Sequence, residues 1–240
     1  MSDLAGTPSD QVPEVGASGR GDVTTLFVSM ARRHPDGADA EYLRWHTLDH
    51  RPEQHRLASV RASLRLVSTP ACRAARAAQR EPLDAIDHVM TYFFASTAGL
   101  GEFSQLSKAL SGAGRVPFVL APVQRGVYRV DAKNAAERVK VGADVLPWWP
   151  ARGAYLLIED ARASPRNFID MPGIAGQWSG VAQTTALSNA PAGQRITYLF
   201  LDDDPIAVGE RLGPEIAALD PLFAAPFHCV VPHEWDRYLP

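Results

Sequence analysis

Leu26-Phe27-Val28-Ser29-Met30-Ala31-Arg32-Arg33-His34-Pro35 returns later in the chain as Leu156-Leu157-Ile158-Glu159-Asp160-Ala161-Arg162-Ala163-Ser164-Pro165. Each copy opens on an apolar, strand-forming run and closes on a proline, the profile of a buried strand running into a turn. Two further blocks follow in the same order. Met90-Thr91-Tyr92-Phe93-Phe94 matches Ile196-Thr197-Tyr198-Leu199-Phe200, and Pro117-Phe118-Val119-Leu120-Ala121-Pro122-Val123 matches Pro221-Leu222-Phe223-Ala224-Ala225-Pro226-Phe227. Three gapless matches in one order point to an internal repeat.

The remaining elements are placed outward from these blocks. His34-Pro35-Asp36-Gly37 is a turn, and Asp39 reads as the N-cap of a first helix. Residues 57–69 read as a second strand stopped by Pro70, and the Ala/Arg-rich residues 71–82, which lack a clear apolar face, as an exposed excursion. The third strand, residues 86–95, is apolar on both faces. Leu100, Phe103, Leu106 and Leu110 mark a second helix, and residues 116–130 an edge-like strand punctuated by prolines. The order is βαββαβ, and Ile206, Leu212, Ile216 and Leu219 supply the second half with its own amphipathic helix. The expected fold class is α+β: two tandem ferredoxin-like βαββαβ modules packed sheet to sheet as an intramolecular α/β barrel. The expected divisions are a disordered tail at 1–21, module 1 at 22–130, a linker at 131–150 and module 2 at 151–240. The linker ends in Leu146-Pro147-Trp148-Trp149-Pro150, read as draped over the junction.

Composition narrows the function classes. An apolar fraction of 46%, a charged fraction of 21% and a net charge of -3 argue against a dedicated nucleic-acid binder. No apolar run approaches the roughly 18 residues of a membrane span, and the start has no basic, then apolar, leader pattern, so the expected location is cytoplasmic. Cys72 and Cys229 are too few for a disulfide framework and read as two reduced thiols, with a bridge between them as the alternative.

The chemistry concentrates in residues 42–53, Tyr-Leu-Arg-Trp-His-Thr-Leu-Asp-His-Arg-Pro-Glu. On a helix, Tyr42, His46 and His50 fall on one stripe, and Pro52 predicts that the helix ends near Arg51. The repeat adds a contrast. The first half holds more residues between its first two blocks than the second, and the counterpart of this segment, residues 166–177, has no histidine. By the same alignment His88 faces Gln194, while Tyr92 has a partner in Tyr198.

With the aromatic Tyr42, then Trp45, then His50-Arg51-Pro52, the chain resembles the dimeric α/β-barrel superfamily in tandem form, with an EthD-like helix motif in the first half. The fold resemblance covers residues 22 to 130 and, more loosely, 150 to 240. Members range from polyketide cyclases and small monooxygenases to haem-binding enzymes and stress proteins, so the fold does not select a function. The favoured reading places His50 and His88 on opposite walls of a pocket between the first helix and its sheet. His46, Tyr42 and Tyr92 are its other polar groups, and Trp45 and Arg65 its substrate contacts, Arg65 by orienting a carboxylate. Histidines in an apolar cavity suit cyclisation, dehydration or decarboxylation of a small aromatic or polyketide-like substrate with no cofactor. Several competing readings stand beside it. His50 caps a helix end and His88 is a core histidine; His46-Thr47-Leu48-Asp49-His50 is an inverted metal motif; His228 is a haem ligand on the last strand; or the barrel is a non-catalytic module for an apolar ligand or for assembly. The site is expected to hold no metal, and the expected partner is a small molecule, with the chain a monomer or homodimer.

Overall fold

The computed structural model describes residues 4–12 and 22–239. The tail expected at 1–21 therefore lies outside the described residues at 1–3 and 13–21. Inside it, Ser9–Gln11 form a 3-10 turn tied to the body, where the Ser9 N–H donates to Lys140 O at 2.9 Å.

The strands are β1 (Thr25–Ala31), β2 (Val60–Val67), β3 (Ala78–Gln79), β4 (His88–Phe94), β5 (Pro122–Ala135), β6 (Gly153–Glu159), β7 (Ile174–Ala182), β8 (Arg195–Leu201) and β9 (Phe223–Cys229). They are hydrogen-bonded in the order β2-β4-β1-β5-β7-β8-β6-β9. β9 returns to β2 through Leu66↔Cys229 and Val67↔His228, closing an eight-stranded antiparallel barrel, with β3 added on β9. Each half contributes four strands in the same relative order, second-third-first-fourth, when β3 is set aside. The halves are one continuous ladder rather than two stacked sheets, because β5 pairs with β7 from Tyr128↔Ala182 to Ala135↔Gly176. Closure removes the exposed strand edges that an open sheet would have to protect.

Strand alternation sorts the side chains. Leu26, Val28, Val89, Phe93, Leu156, Ile158, Trp178, Tyr198 and Phe200 point inward and form one fully buried core. The opposite faces carry the helices: α1 (Asp39–Trp45), a π-helical turn (His46–His50), α2 (Arg51–Gln54), α3 (Pro70–Ala74), α4 (Leu100–Gly112) and α5 (Pro205–Ala217). α4 buries Leu100 and Phe103 against Phe27, Met90, Tyr92 and Phe94. α5 buries Val208, Leu212 and Ile216 against Tyr155, Leu157 and Leu199. Its first turn is capped by Asp204, which accepts from the N–H groups of Ile206 and Ala207, as the acidic run before Pro205 implied.

Several expectations change. No helix lies between β6 and β7, where residues 160–173 form turns, so the second half is βββαβ and not βαββαβ. β5 is no edge: it lies between β1 and β7, and it runs five residues past the boundary expected at 130. The third repeat block pairs unlike structures, since residues 117–121 are irregular while Phe223–Cys229 is a strand. The second block is out of register by one residue. Leu26 pairs with Phe93 and Leu156 with Tyr198, so Tyr198 is equivalent to Phe93 and not to Tyr92. A one-residue slip exchanges the two faces of a strand, which is why Tyr198 points into the barrel and Tyr92 out of it. The segment expected as an excursion carries the fully buried Cys72, and its β3 pairs with β9. In the linker, Leu146 is buried while Trp148 is exposed. Both cysteines are free.

Candidate functional site

Between α1, α4 and the outward face of β1, β2 and β4 lies a cavity of about 410 Å³, within the range of small-molecule sites. Its apolar wall is built from Phe27, Trp45, Met90, Phe103, Phe118 and Leu120. Tyr42, Trp45, His46, His50, Arg65, His88 and Tyr92, the seven residues singled out from the sequence, all line it.

One wall is a buried chain of hydrogen bonds. Arg65, on β2, donates from Nη2 to His88 Nδ1 at 3.0 Å, and His88 Nε2 lies 2.6 Å from Asp39 Oδ1. A guanidinium can only donate, so Nδ1 is the acceptor and Nε2–H donates to the carboxylate. The His88 tautomer is thereby fixed. Asp39 also accepts from the His34 N–H at 3.1 Å and lies 4.0 Å from the Arg33 guanidinium. Burial pushes the Asp39 carboxyl up, but the hydrogen bonds from His88 and His34 and the charge of Arg33 outweigh it and hold the group below the usual range. Burial drives His88 the other way, down to about 4, against the Asp39 hydrogen bond and with the help of Arg65. His88 is therefore neutral at neutral pH, with both nitrogens engaged. It holds Arg65 in place, and the Arg65 guanidinium lies 4.7 Å from the centroid of the Tyr42 ring.

Asp39 was expected to cap the helix. It is instead the first helical residue, makes no capping bond, and turns a carboxylate with 1% exposure toward β4.

The facing wall is the aromatic-histidine stripe. His46 and His50 have ring centroids 5.4 Å apart, Tyr42 lies 5.7 Å from His46, and Trp45 lies 5.1 Å from His50. Here the helix does not stop before Pro52 but continues to Gln54. The widened π turn explains it: Arg51 N–H bonds to His46 O, five residues back, which makes room for a proline ring that an α turn would drive into a carbonyl. His50 therefore lies inside the helical run, not at its C-terminal end.

Burial lowers His46 well below the ordinary histidine range, reinforced by Arg65, and lowers His50 despite the opposing charge of Asp49. Four buried polar atoms on lining residues have no hydrogen-bond partner: His46 Nδ1, His50 Nδ1, Arg65 Nε and Tyr92 Oη. The Tyr92 hydroxyl is pushed well above its usual pKa by burial, so it stays a neutral donor. Gln54 bridges His50 Nε2 at 3.4 Å and Ser107 Oγ at 3.3 Å.

The metal and haem readings lack support in the geometry. The Asp49 carboxylate is taken by Arg115 at 2.9 Å, and among the described residues no three His, Cys, Asp or Glu side chains converge as ligands would. His228 packs against Tyr238 and does not line the cavity, so a haem ligated from that position does not fit. The site residues missed in the sequence include Asp39, Gln54, Phe103, Lys108, Phe118, Arg125 and the serines of α4. Ser104, Ser107 and Ser111, all lining the cavity, recur at helical spacing and form a polar stripe beside Phe103 that could have been read.

No family model and no curated protein matches the chain. Solved structures do. A candidate chlorite dismutase superimposes with a TM-score of 0.50 at 10% identity, over 91% of this chain and 99% of that one. The chain shares the α+β-barrel fold. A candidate monooxygenase from Fusobacterium nucleatum follows at a TM-score of 0.48 and 11% identity, covering 87% of this barrel and 93% of its own chain. An anthrone oxidase-like protein stands at 0.45 and 9%, covering 88% and 92%. At these identities the likeness concerns the barrel alone. Among the described residues no helix is long and apolar enough to cross a membrane.

The buried histidines make the barrel acid-sensitive. His46, His50 and His88 bind protons less readily folded than unfolded, so between the unfolded value near 6.5 and the lower folded values the unfolded chain takes up the extra protons. The stability these three groups contribute is level above about pH 6.5 and is lost as the pH drops through that window. His88 alone, depressed to about 4, accounts for a loss on the order of 3 kcal/mol by pH 4. Urea midpoints at pH 7.5, 6 and 5 should decline in that order, and a midpoint unchanged down to pH 5 would contradict the assignment.

Proposed function

We propose that the protein is a cofactor-independent acid-base enzyme of the cyclase, dehydratase or decarboxylase type, acting on a small aromatic or polyketide-like substrate bound in this cavity. The observation that carries the reading is His50 Nδ1. It is a buried, unpartnered nitrogen on a histidine that burial keeps neutral and that lines an apolar space of ligand size. The substrate ring packs on Trp45, Phe103 and Phe118. His50 takes a proton from a carbon next to a carbonyl, and the electron pair of that C–H bond moves onto the carbonyl oxygen, which accepts a hydrogen bond from Tyr92 Oη. To act as a base at Nδ1, His50 carries its proton on Nε2 and donates it to Gln54 Oε1, which requires the amide to be turned from the orientation in which its Nε2 faces the ring. His88 is a positioning residue, holding Arg65 between Asp39 and the cavity.

The same reading takes the helix as EthD-like and the halves as tandem ferredoxin-like units, with their matching strand orders as support. It also takes the protein as a cytoplasmic monomer or homodimer whose partner is a small molecule and not nucleic acid. The engaged nitrogens of His88 favour a second reading, a module that holds an aromatic ligand without transforming it.

Proton exchange separates the two. In D2O the wild type should catalyse exchange of the α-protons of 2-tetralone, and His50→Gln, which keeps polarity but cannot titrate, should lower the rate by about 10²–10⁴-fold. The rate should fall at a lower pH than an ordinary histidine would set, because burial makes His50 harder to protonate. Binding of 2-tetralone with no exchange favours the holding module, and exchange unaffected by His50→Gln removes His50 from the chemistry.

A further inference from the structure

Arg65 is a buried cation without a carboxylate of its own. Its exposure is 3%, its Nε is buried with no hydrogen-bond partner, and its guanidinium meets the neutral His88 and the face of Tyr42. Among the described residues no Asp or Glu lies within ion-pair distance of it. Asp39 reaches it only through His88, and that carboxylate also faces Arg33 at 4.0 Å. The cavity continues the imbalance. Its lining includes the cations Arg65, Lys108 and Arg125 and neither an Asp nor a Glu. Arg65 is deep, while Lys108 and Arg125 are exposed.

A desolvated guanidinium without a counter-ion is costly, and a carboxylate placed against it offers the missing charge and accepts its free N–H groups. Arg and Lys at an entrance raise the local concentration of anions. The aromatic wall fixes the rest of the ligand as flat and apolar.

We propose that the ligand of this cavity is an aromatic carboxylate, drawn in past Lys108 and Arg125 and seated with its carboxylate on Arg65. The assignment rests on the cavity being the ligand site, as in the function proposed above. It adds a second point of attachment to that account: the carboxylate stays on Arg65 while His50 and Tyr92 act on the other end of the molecule.

The test is calorimetric titration of the wild type with 2-naphthoate and with its neutral counterpart 2-naphthamide, repeated on Arg65→Met and Arg65→Lys. The expected result is at least tenfold tighter binding of the naphthoate, a preference abolished in Arg65→Met and largely kept in Arg65→Lys. The wild-type comparison stands even if the methionine variant does not fold. Equal binding of acid and amide by the wild type overturns the carboxylate assignment and leaves the acid-base reading intact, provided 2-tetralone still exchanges. A preference that survives in folded Arg65→Met overturns the role of Arg65. Absence of binding by both probes, together with absence of 2-tetralone exchange, overturns the cavity as a ligand site and both proposals with it.

Discussion

Asp39→Ala is expected to unfold with about 3–5 kcal/mol less free energy than the wild type, the cost of removing one member of a buried, charged hydrogen-bond chain. The carboxylate accepts from His88 at 2.6 Å and from the His34 N–H at 3.1 Å and faces Arg33 at 4.0 Å. Without it, the His88 Nε2–H is left buried and unsatisfied, and Arg65 loses the negative charge that reaches it through the imidazole. Asp39→Asn keeps an acceptor and loses only the charge, so it should cost less, about 1–3 kcal/mol. Urea unfolding at pH 7.5 reads both. If Asp39→Ala costs less than about 1 kcal/mol, the carboxylate does not anchor the site. The pair also separates scaffold from chemistry: Asp39→Asn should weaken ligand binding by loosening Arg65 while leaving the pH dependence of His50 in place.

The second large effect is expected at the centre of the barrel. Trp178→Ala should cost about 3–5 kcal/mol, the range for deleting a fully buried aromatic side chain. Trp178 has 0% exposure, meets Phe93 edge-on at 5.6 Å, and donates from Nε1 to Ala143 O at 2.8 Å. It thus joins β7, β4 from the other half, and the 3-10 turn Ala143–Trp148 that covers the connection between the halves. For a chain of this length the loss corresponds to a fall in Tm of about 6–20 °C. Calorimetry should show one transition at a lower temperature, since the halves share a continuous sheet. Two separate transitions would contradict the single barrel.

The parts of this molecule legible in its sequence are those governed by periodicity. The strand blocks at Leu26 and Leu156 form β1 and β6 with the same residues facing inward, because alternation survives any loop placed between them. Tyr42, His46 and His50 meet because helical spacing brings them together, and His88 and Arg65 join them from alternate positions of neighbouring strands. Other features depend on contacts that no local pattern carries. Asp39 looks like any cap until His88 arrives from another strand. Pro52 is a sound stop signal that a π turn overrides. The match of Tyr92 with Tyr198 is good letter by letter and wrong by one position, because two strands apolar on both faces hold nothing in their composition to mark which face is inside. The helix expected after β6 is absent for a plainer reason: residues 160–173 include Pro165, Pro172 and Gly173 and offer no apolar stripe to bury.

The most direct test of the account is a nitrogen-15 NMR titration of histidine-labelled protein from pH 8 to pH 5, with and without 2-tetralone. His88 is expected to stay neutral with its proton on Nε2 down to pH 5. His50 is expected to titrate below 6.5, and its resonance to move when ligand is added. A His88 that protonates near 6.5, or a His50 that titrates at its ordinary value and ignores the ligand, would contradict the buried chain and the proton-transfer site built upon it.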